Sequence, residues 1–221
     1  MKYFNYDIKR YPFKGIVKRY LEAESLEELH RINRFDKTLT DHNGESPDQR
    51  TKLHKMFYKN MDLDPSFKNL YDFFIESFVN DLLGGKNFLY QTFPTLRIHQ
   101  PENIAVFAFH KDKDYNHNHK EINFFLPVTR AFQTNTFWAE SSEDKGDFSP
   151  VESDYGGLVM WDGANLKHGS KANETDITRV SFDFRIIYEE DYLSQQMLSS
   201  HSRGKKFCEG EYFTNFKKNK F

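Results

Sequence analysis

The sequence predicts a mainly β protein with an N-terminal helical part, because the spacing of its apolar residues changes once along the chain. Up to about residue 86 the apolar side chains recur every three or four positions, which is the helical period. The strongest such segment has Phe67, Leu70, Tyr71, Phe74, Phe78 and Leu82 at this spacing. It ends at Gly84–Gly85, a pair typical of a helix C-terminus. Beyond it the period is two, which indicates strands.

Seven strand candidates follow, and clusters of Pro, Gly, Asn and Asp separate them. They are 88–99, 103–112, 121–129, 134–141, 148–153, 157–162 and 176–188. Short strands without intervening helices favour an antiparallel sandwich or barrel of the jelly-roll type. We therefore predict one domain over 1–221, with a helical part (1–86), a jelly-roll core (87–190) and a C-terminal tail (191–221) that is a candidate lid.

The composition narrows the kind of partner and the compartment. A formal net charge of −2 over 221 residues indicates no broad basic face, which disfavours nucleic acid as a partner. The single Cys208 permits no internal disulfide, which fits a reducing compartment. No apolar run reaches membrane-spanning length, and the N-terminus lacks the apolar core of a signal peptide. We therefore expect a cytoplasmic protein that binds no membrane, and its oligomeric state is left open.

Three residues on two separate segments have the types and order of a metal site. His110 and Asp112 lie at the end of the predicted strand 103–112, on the same face of that strand. His168 comes well downstream, in a turn that leads into a short strand. Two imidazoles and one carboxylate form the facial triad of non-haem Fe(II) oxygenases, which leaves coordination positions open. A His-x-Asp triplet alone is a weak pattern, and the downstream residues make it more specific.

The predicted strand 176–188 has one apolar and one polar face. The apolar face has Thr178, Val180, Phe182, Phe184 and Ile186, and the polar face has Arg179, Ser181, Asp183 and Arg185. If the strand lies in a barrel, the polar face points inward and needs partners, because buried unpaired charges are costly. A dicarboxylic acid bound by Arg179 would supply one. The alternative is a face exposed to solvent, as in any half-buried strand.

Five stretches of the sequence together resemble a known family. They are 109–115, 121–124, 135–141, 162–165 and 179–185. These stretches resemble the Fe(II)- and 2-oxoglutarate-dependent oxygenases of the phytanoyl-CoA-dioxygenase-like kind, in the StrG-like branch named for streptomycin biosynthesis. The resemblance spans residues 88–188 and is weak in the helical part and the tail.

The resemblance implies a double-stranded β-helix with Fe(II) bound by His110, Asp112 and His168. It also implies 2-oxoglutarate as cosubstrate, with its distal carboxylate bound by Arg179 with help from Ser181. Related halogenases lack the carboxylate ligand, so its presence here favours hydroxylation or desaturation with O2. The primary substrate expected by family analogy is a small hydrophilic metabolite, such as an amino sugar or a cyclitol.

Other residues are candidates for the edges of the site. Asn123, on the strand after the ligand pair, would contact the cosubstrate or a metal ligand. Arg97 and Trp138 would line the substrate side, although core packing explains Trp138 equally well. His117 and His119 lie in a loop that we expect to border the substrate site, and such a pair also binds Zn or Ni adventitiously.

Three other functions fit parts of the pattern. A cupin-like isomerase or epimerase would use His110 as a base without redox chemistry. A jelly roll that binds a ligand without catalysis is the second. A nucleic-acid demethylase of the same superfamily shares the spacing Arg179-x-Ser181-x-Asp183-x-Arg185, though not all residue types, and the pI near 6.5 disfavours it.

Overall fold

The computed structural model describes residues 1–32, 51–104, 108–192 and 205–216, which form helices packed against antiparallel sheets. The helices are α1 (Phe13–Tyr20), α2 (Leu29–Ile32), α3 (Lys52–Leu63), α4 (Ser66–Phe74) and α5 (Asn80–Leu82). A π-helical turn over Ile75–Val79 joins α4 to α5, which confirms the strong helical segment predicted from the sequence. Within the described ranges, no helix is both long and apolar enough to span a bilayer.

Two antiparallel sheets form the jelly roll. The strands are β1 (Lys2–Asn5), β2 (Phe88–Gln91), β3 (Thr95–His99), β4 (Ile122–Pro127), β5 (Phe137–Ala139), β6 (Ser149–Pro150), β7 (Gly157–Trp161), β8 (His168–Ser170), β9 (Arg179–Tyr188) and β10 (Phe213–Asn215). The larger sheet has the order β1-β7-β4-β9-β2-β10, with β3 also paired to β9, and the smaller sheet has the order β6-β5-β8. The predicted mainly β jelly roll is therefore confirmed.

The helices cover one face of the larger sheet through an aromatic core. Phe182 on β9 lies 4.7 Å from the Phe67 ring and 5.6 Å from the Phe57 ring, measured between centroids. On the same face, Phe184 lies edge-to-face with Tyr71 at 5.6 Å and stacks on Phe124 at 4.9 Å. Since these contacts occupy the apolar face of β9, the polar face of that strand is left for the space between the two sheets.

The predicted strands 134–141 and 148–153 are shortened to β5 and β6, with 134–135 in a 3-10 helix, and two other predicted strands differ more. The segment 88–99 is divided into β2 and β3, because Pro94 has no N–H to donate to a ladder. The prediction of a strand over 103–112 is wrong for those of its residues that the structure describes. Residues 105–107 lie outside the described residues, His110 forms only an isolated bridge with His168, and Asp112 begins a 3-10 helix that ends at Tyr115.

Two short edge strands were not predicted. β1 lies within the predicted helical part and pairs with β7, and β10 lies within the predicted tail and pairs with β2. Strands of three or four residues are too short for a period of two to distinguish them from irregular chain. The described part of the tail, 205–216, is therefore attached to the sheet edge, and a lid formed by the tail stays a prediction.

Candidate metal centre

Backbone pairing brings the three proposed metal ligands together. The N–H of His110 donates to the carbonyl oxygen of His168 at 2.8 Å, and the N–H of His168 donates back to His110 at 2.9 Å. The N–H of Asp112 donates to the carbonyl oxygen of Gly163 at 3.0 Å. These bonds fix the segment after residue 108 against the turn that precedes β8, so the ligands from both segments face one another.

The donor atoms of His110, Asp112 and His168 lie within 4.8 Å of one another. Asp112 Oδ1 is 3.7 Å from Nε2 of each histidine. The Nδ1 atoms face carbonyl oxygens, that of Ala108 at 2.7 Å and that of Leu166 at 2.9 Å. Because a carbonyl oxygen only accepts, each Nδ1 is protonated, so in the neutral imidazole each Nε2 presents its lone pair to the shared space. This is the donor set and tautomer that a divalent transition metal requires.

The second oxygen of Asp112 is bound by two side chains. Its Oδ2 accepts from Asn123 Nδ2 at 2.6 Å and from Arg185 Nε and Nη2 at 3.0 and 2.7 Å. Asp112 is 3% exposed, so these bonds hold a buried carboxylate in one orientation. Oδ1 is consequently the oxygen directed at the two histidines.

The charges and burial at the centre favour the protonation states in which Asp112 and His168 can bind a metal. Burial opposes the charge on Asp112, but the Arg185 guanidinium holds the pKa of Asp112 well below its usual 3.8. Burial lowers the pKa of His168 to about 4, against a raising effect of Asp112. Near pH 7 the carboxylate is therefore ionised and His168 is neutral, which are the protonation states of metal ligands.

Arg179 lines the same pocket as the three ligands. It is 3% exposed, and its Nε donates to the carbonyl oxygen of Asn135 at 2.9 Å. Its Nη1 donates to Ser181 Oγ at 2.5 Å, so the serine predicted beside it fixes the guanidinium. A buried planar fork in this position suits a carboxylate ligand.

The other sequence candidates are placed in different surroundings. Arg97 lines the pocket, and its Nε donates to Asp183 Oδ2 at 2.8 Å. Trp138 instead donates its indole N–H to the Gln133 carbonyl oxygen at 3.1 Å, and Lys171 Nζ lies 3.3 Å above its ring.

The two loop histidines, His117 and His119, lie in different surroundings. His117 Nδ1 contacts Glu121 Oε2 at 2.8 Å, and its ring packs 4.5 Å from that of Phe207 in the tail. His119 is exposed and lines a second, more open cavity that also includes Trp161.

Sequence reasoning missed two residues of the centre. Trp161 lies edge-to-face on the His168 ring at 4.6 Å, and it ends a strand just before the turn at 162–165. Arg185 was recognised as part of the polar face, but its bond to Asp112 was not predicted. The available signals are an aromatic residue directly before the turn that leads to His168 and a second arginine on the Arg179 face.

One curated relative covers nearly the whole chain. The streptomycin biosynthesis protein StrG of Streptomyces griseus is 34% identical over 211 residues, which is 94% of each chain. No protein-family model matches the sequence.

Solved structures share the fold at low sequence identity. The apo form of EctD from S. alaskensis has a TM-score of 0.55 at 12% identity, covering 95% of this chain and 81% of that one. The 2-oxoglutarate-dependent non-haem carbocyclase SnoK from nogalamycin biosynthesis has a TM-score of 0.50 at 13% identity, covering 96% and 91%.

The chain shares the fold of these solved structures, and its pocket holds a His-Asp-His donor set. The chain belongs to the StrG family, as the match to StrG over 94% of each chain shows. The resemblance noted from residues 88–188 therefore extends through the helical part.

Proposed function

We propose that the protein is an iron dioxygenase that couples oxidative decarboxylation of 2-oxoglutarate to hydroxylation or desaturation of a small hydrophilic metabolite. One observation carries the proposal. His110, Asp112 and His168 direct three ligand atoms at one space, and Arg179 lies in the same pocket. In the hydroxylation, R–H, O2 and 2-oxoglutarate give R–OH, succinate and CO2, so one oxygen atom enters each organic product.

Fe(II) would be held by Nε2 of His110, Nε2 of His168 and Oδ1 of Asp112. Bound with the keto acid of 2-oxoglutarate, the metal supplies the redox chemistry that activates O2. The protein's own part is to hold these three donors toward one shared space, so that a bound metal would keep positions for cosubstrate and O2. The hydrogen bonds to Ala108 and Leu166 carbonyls keep both imidazoles in the correct tautomer.

Arg179 and Ser181 would bind the distal carboxylate of 2-oxoglutarate. The Arg179 guanidinium is fixed by Asn135 and Ser181 before any ligand arrives, so little side-chain entropy is lost on binding. Its buried position makes a charge-assisted bond to a carboxylate stronger than it would be in water.

The sequence makes Asn123 a candidate for contact with the cosubstrate or with a metal ligand. Its geometry favours contact with the proposed metal ligand Asp112. Its Nδ2 is used on Asp112, while Oδ1 is buried without a hydrogen-bond partner among the described residues. A free amide oxygen accepts, so it fits a hydroxyl or a water in the pocket and would repel a carboxylate.

The substrate assignment rests on the pocket's polarity and on the relative. Arg97, Asp183 and Ser170 line the pocket beside the centre, which suits hydroxyl or amino groups. StrG is named for the biosynthesis of an antibiotic, and by analogy we propose an amino sugar or cyclitol as the substrate class, with no nucleic acid involved. We place the reaction in the cytoplasm, because the single Cys208 needs no oxidising compartment.

The first test adds Fe(II) and 2-oxoglutarate to the purified protein without O2. The parent should show the weak visible charge-transfer band of a chelated keto acid. His168→Ala should abolish the band, and Arg179→Ala should weaken it at a given 2-oxoglutarate concentration. His119→Ala, which removes an exposed histidine, is the matched control and should leave the band unchanged.

Admission of O2 then separates the remaining functions. Formation of succinate that requires O2 and is lost in His168→Ala supports the dioxygenase. Metal binding without a band or succinate would overturn the proposal in favour of a cupin-like isomerase or a binding protein. Succinate formation stimulated by a methylated oligonucleotide, and not by amino sugars or cyclitols, would overturn the substrate class.

A further inference from the structure

Arg185 connects a proposed metal ligand to the C-terminal segment 205–216. Two of its N–H groups bind Asp112 Oδ2, and Nη1 donates to Tyr212 Oη at 3.2 Å. A guanidinium is planar and rigid, so the partner of one arm restricts where the other arms can lie. The position of Tyr212 therefore bears on the orientation of the Asp112 carboxylate.

Tyr212 is itself fixed by main-chain and ring contacts. Its carbonyl oxygen accepts from the N–H of Thr92 at 2.8 Å, and the adjacent strand β10 pairs with β2. Its ring lies edge-to-face with Phe207 and with Phe213, each at 4.8 Å. The hydroxyl is thus held by the sheet edge and is independent of any ligand in the pocket.

The same segment reaches the network at a second point. Glu121, which is 2% exposed, lies 3.8 Å from Arg185 Nε through its Oε2. That oxygen also contacts His117 Nδ1 at 2.8 Å, and the His117 ring packs on Phe207. Arg185 therefore lies beside two buried carboxylates, Asp112 and Glu121, and the phenol of Tyr212.

We infer that segment 205–216 is a brace for the metal centre, in which Tyr212 acts as a positioning residue on Asp112 through Arg185. The inference rests on the proposed role of Asp112 as a ligand. In the brace, the tail contributes to metal affinity without touching the metal, because it restrains the arginine that orients the carboxylate.

Titration of the full-length protein with Co(II) tests the brace. Tyr212→Phe removes one hydroxyl and keeps the ring, and we expect its Kd for Co(II) to rise about three- to tenfold, with a changed d–d absorption spectrum of the bound ion. Tyr192→Phe is the matched control. Tyr192 Oη accepts from Glu209 N at 2.9 Å in the same part of the chain and does not act through Arg185, so neither readout should change.

A double-mutant cycle identifies the route of the effect. Arg185→Lys should raise the Kd about 10- to 100-fold, and Tyr212→Phe should add nothing in that background, because its action passes through the guanidinium. Additive effects, an unchanged Kd and spectrum in Tyr212→Phe, or an equal loss in Tyr192→Phe would each overturn the brace.

Failure of the brace and failure of the dioxygenase have different signatures. If the parent binds Co(II) and the variants behave as expected, but no succinate forms with Fe(II), only the proposed reaction is overturned. If succinate forms and Tyr212→Phe behaves as the parent, only the brace is overturned. A parent that binds no Co(II) would overturn both.

Discussion

The two faces of β9 are made of alternating residues of one strand, yet they are stabilised in different ways. On one face, Phe182 and Phe184 pack against aromatic rings of α3 and α4. On the other, Arg179, Asp183 and Arg185 each contact a polar side chain. Packing on the first face is non-directional, whereas each contact on the second depends on particular atoms.

This difference separates stability from function along a single strand. Burial of the aromatic face contributes through the apolar area removed from water and tolerates small shifts. The polar face stabilises little by itself, because each buried charge loses hydration before it gains its partner. We therefore expect substitutions on the aromatic face to reduce the free energy of unfolding, and substitutions on the polar face to reduce ligand and metal affinity.

The largest expected effect is that of Phe182→Ala. The Phe182 ring is fully buried against Phe57 and Phe67, so the variant should lose about 3–5 kcal/mol in the free energy of unfolding. Urea denaturation monitored by circular dichroism measures this loss. The Co(II) Kd of the folded fraction should stay within about threefold of the parent, since the ring lies on the opposite face from the pocket.

Ser181→Ala, at the adjacent position, is the counterpart of that variant. It removes the Oγ that accepts from Arg179, so the KM for 2-oxoglutarate should rise. The free energy of unfolding should fall by less than in Phe182→Ala. If both variants changed stability and KM in the same proportion, the proposed division between the two faces would be wrong.

Arg179→Lys should have the next largest effect. Lysine keeps the charge but lacks the planar fork and the Nε that donates to Asn135, so the KM for 2-oxoglutarate should rise about 10- to 100-fold. Succinate formation at varied 2-oxoglutarate concentration provides the measurement. Arg130→Lys, at an exposed arginine that pairs with Asp154, is the control and should keep the parental KM.

The sequence predicted the two faces of β9 because this strand is ten residues long, enough for the alternation to be distinctive. It predicted the strand over 103–112 incorrectly, since alternation there reflects separate requirements: His110 is held by a bridge to His168, and Asp112 by a 3-10 helix. The bond between Arg185 and Asp112 joins residues 73 positions apart, and no local pattern indicates which of two arginines on one face makes it.

Gly163→Ala tests how closely the centre is packed around Asn123. A Cβ at this position would lie 2.5 Å from Asn123 Nδ2, the atom that donates to Asp112. Because the amide must move to make room, the bond to Asp112 should be lost or distorted, and the Kd for Co(II) should rise about tenfold. Unchanged Co(II) affinity in a folded variant would show that Asn123 contributes nothing to the orientation of the carboxylate.

The smallest expected effect is a gain in stability, and it comes from another glycine-to-alanine substitution, Gly15→Ala in the helical part. Gly15 lies in α1, and a Cβ there meets nothing within 4 Å. Gly15→Ala should therefore raise the free energy of unfolding by about 0.5–1 kcal/mol, because alanine restricts the unfolded chain and strain is absent in the helix. Urea denaturation measures the gain, and Co(II) titration should give the parental Kd. Since glycine-to-alanine weakens metal binding at residue 163 and strengthens the fold at residue 15, the pair distinguishes a glycine required for close approach from one that the helix merely tolerates.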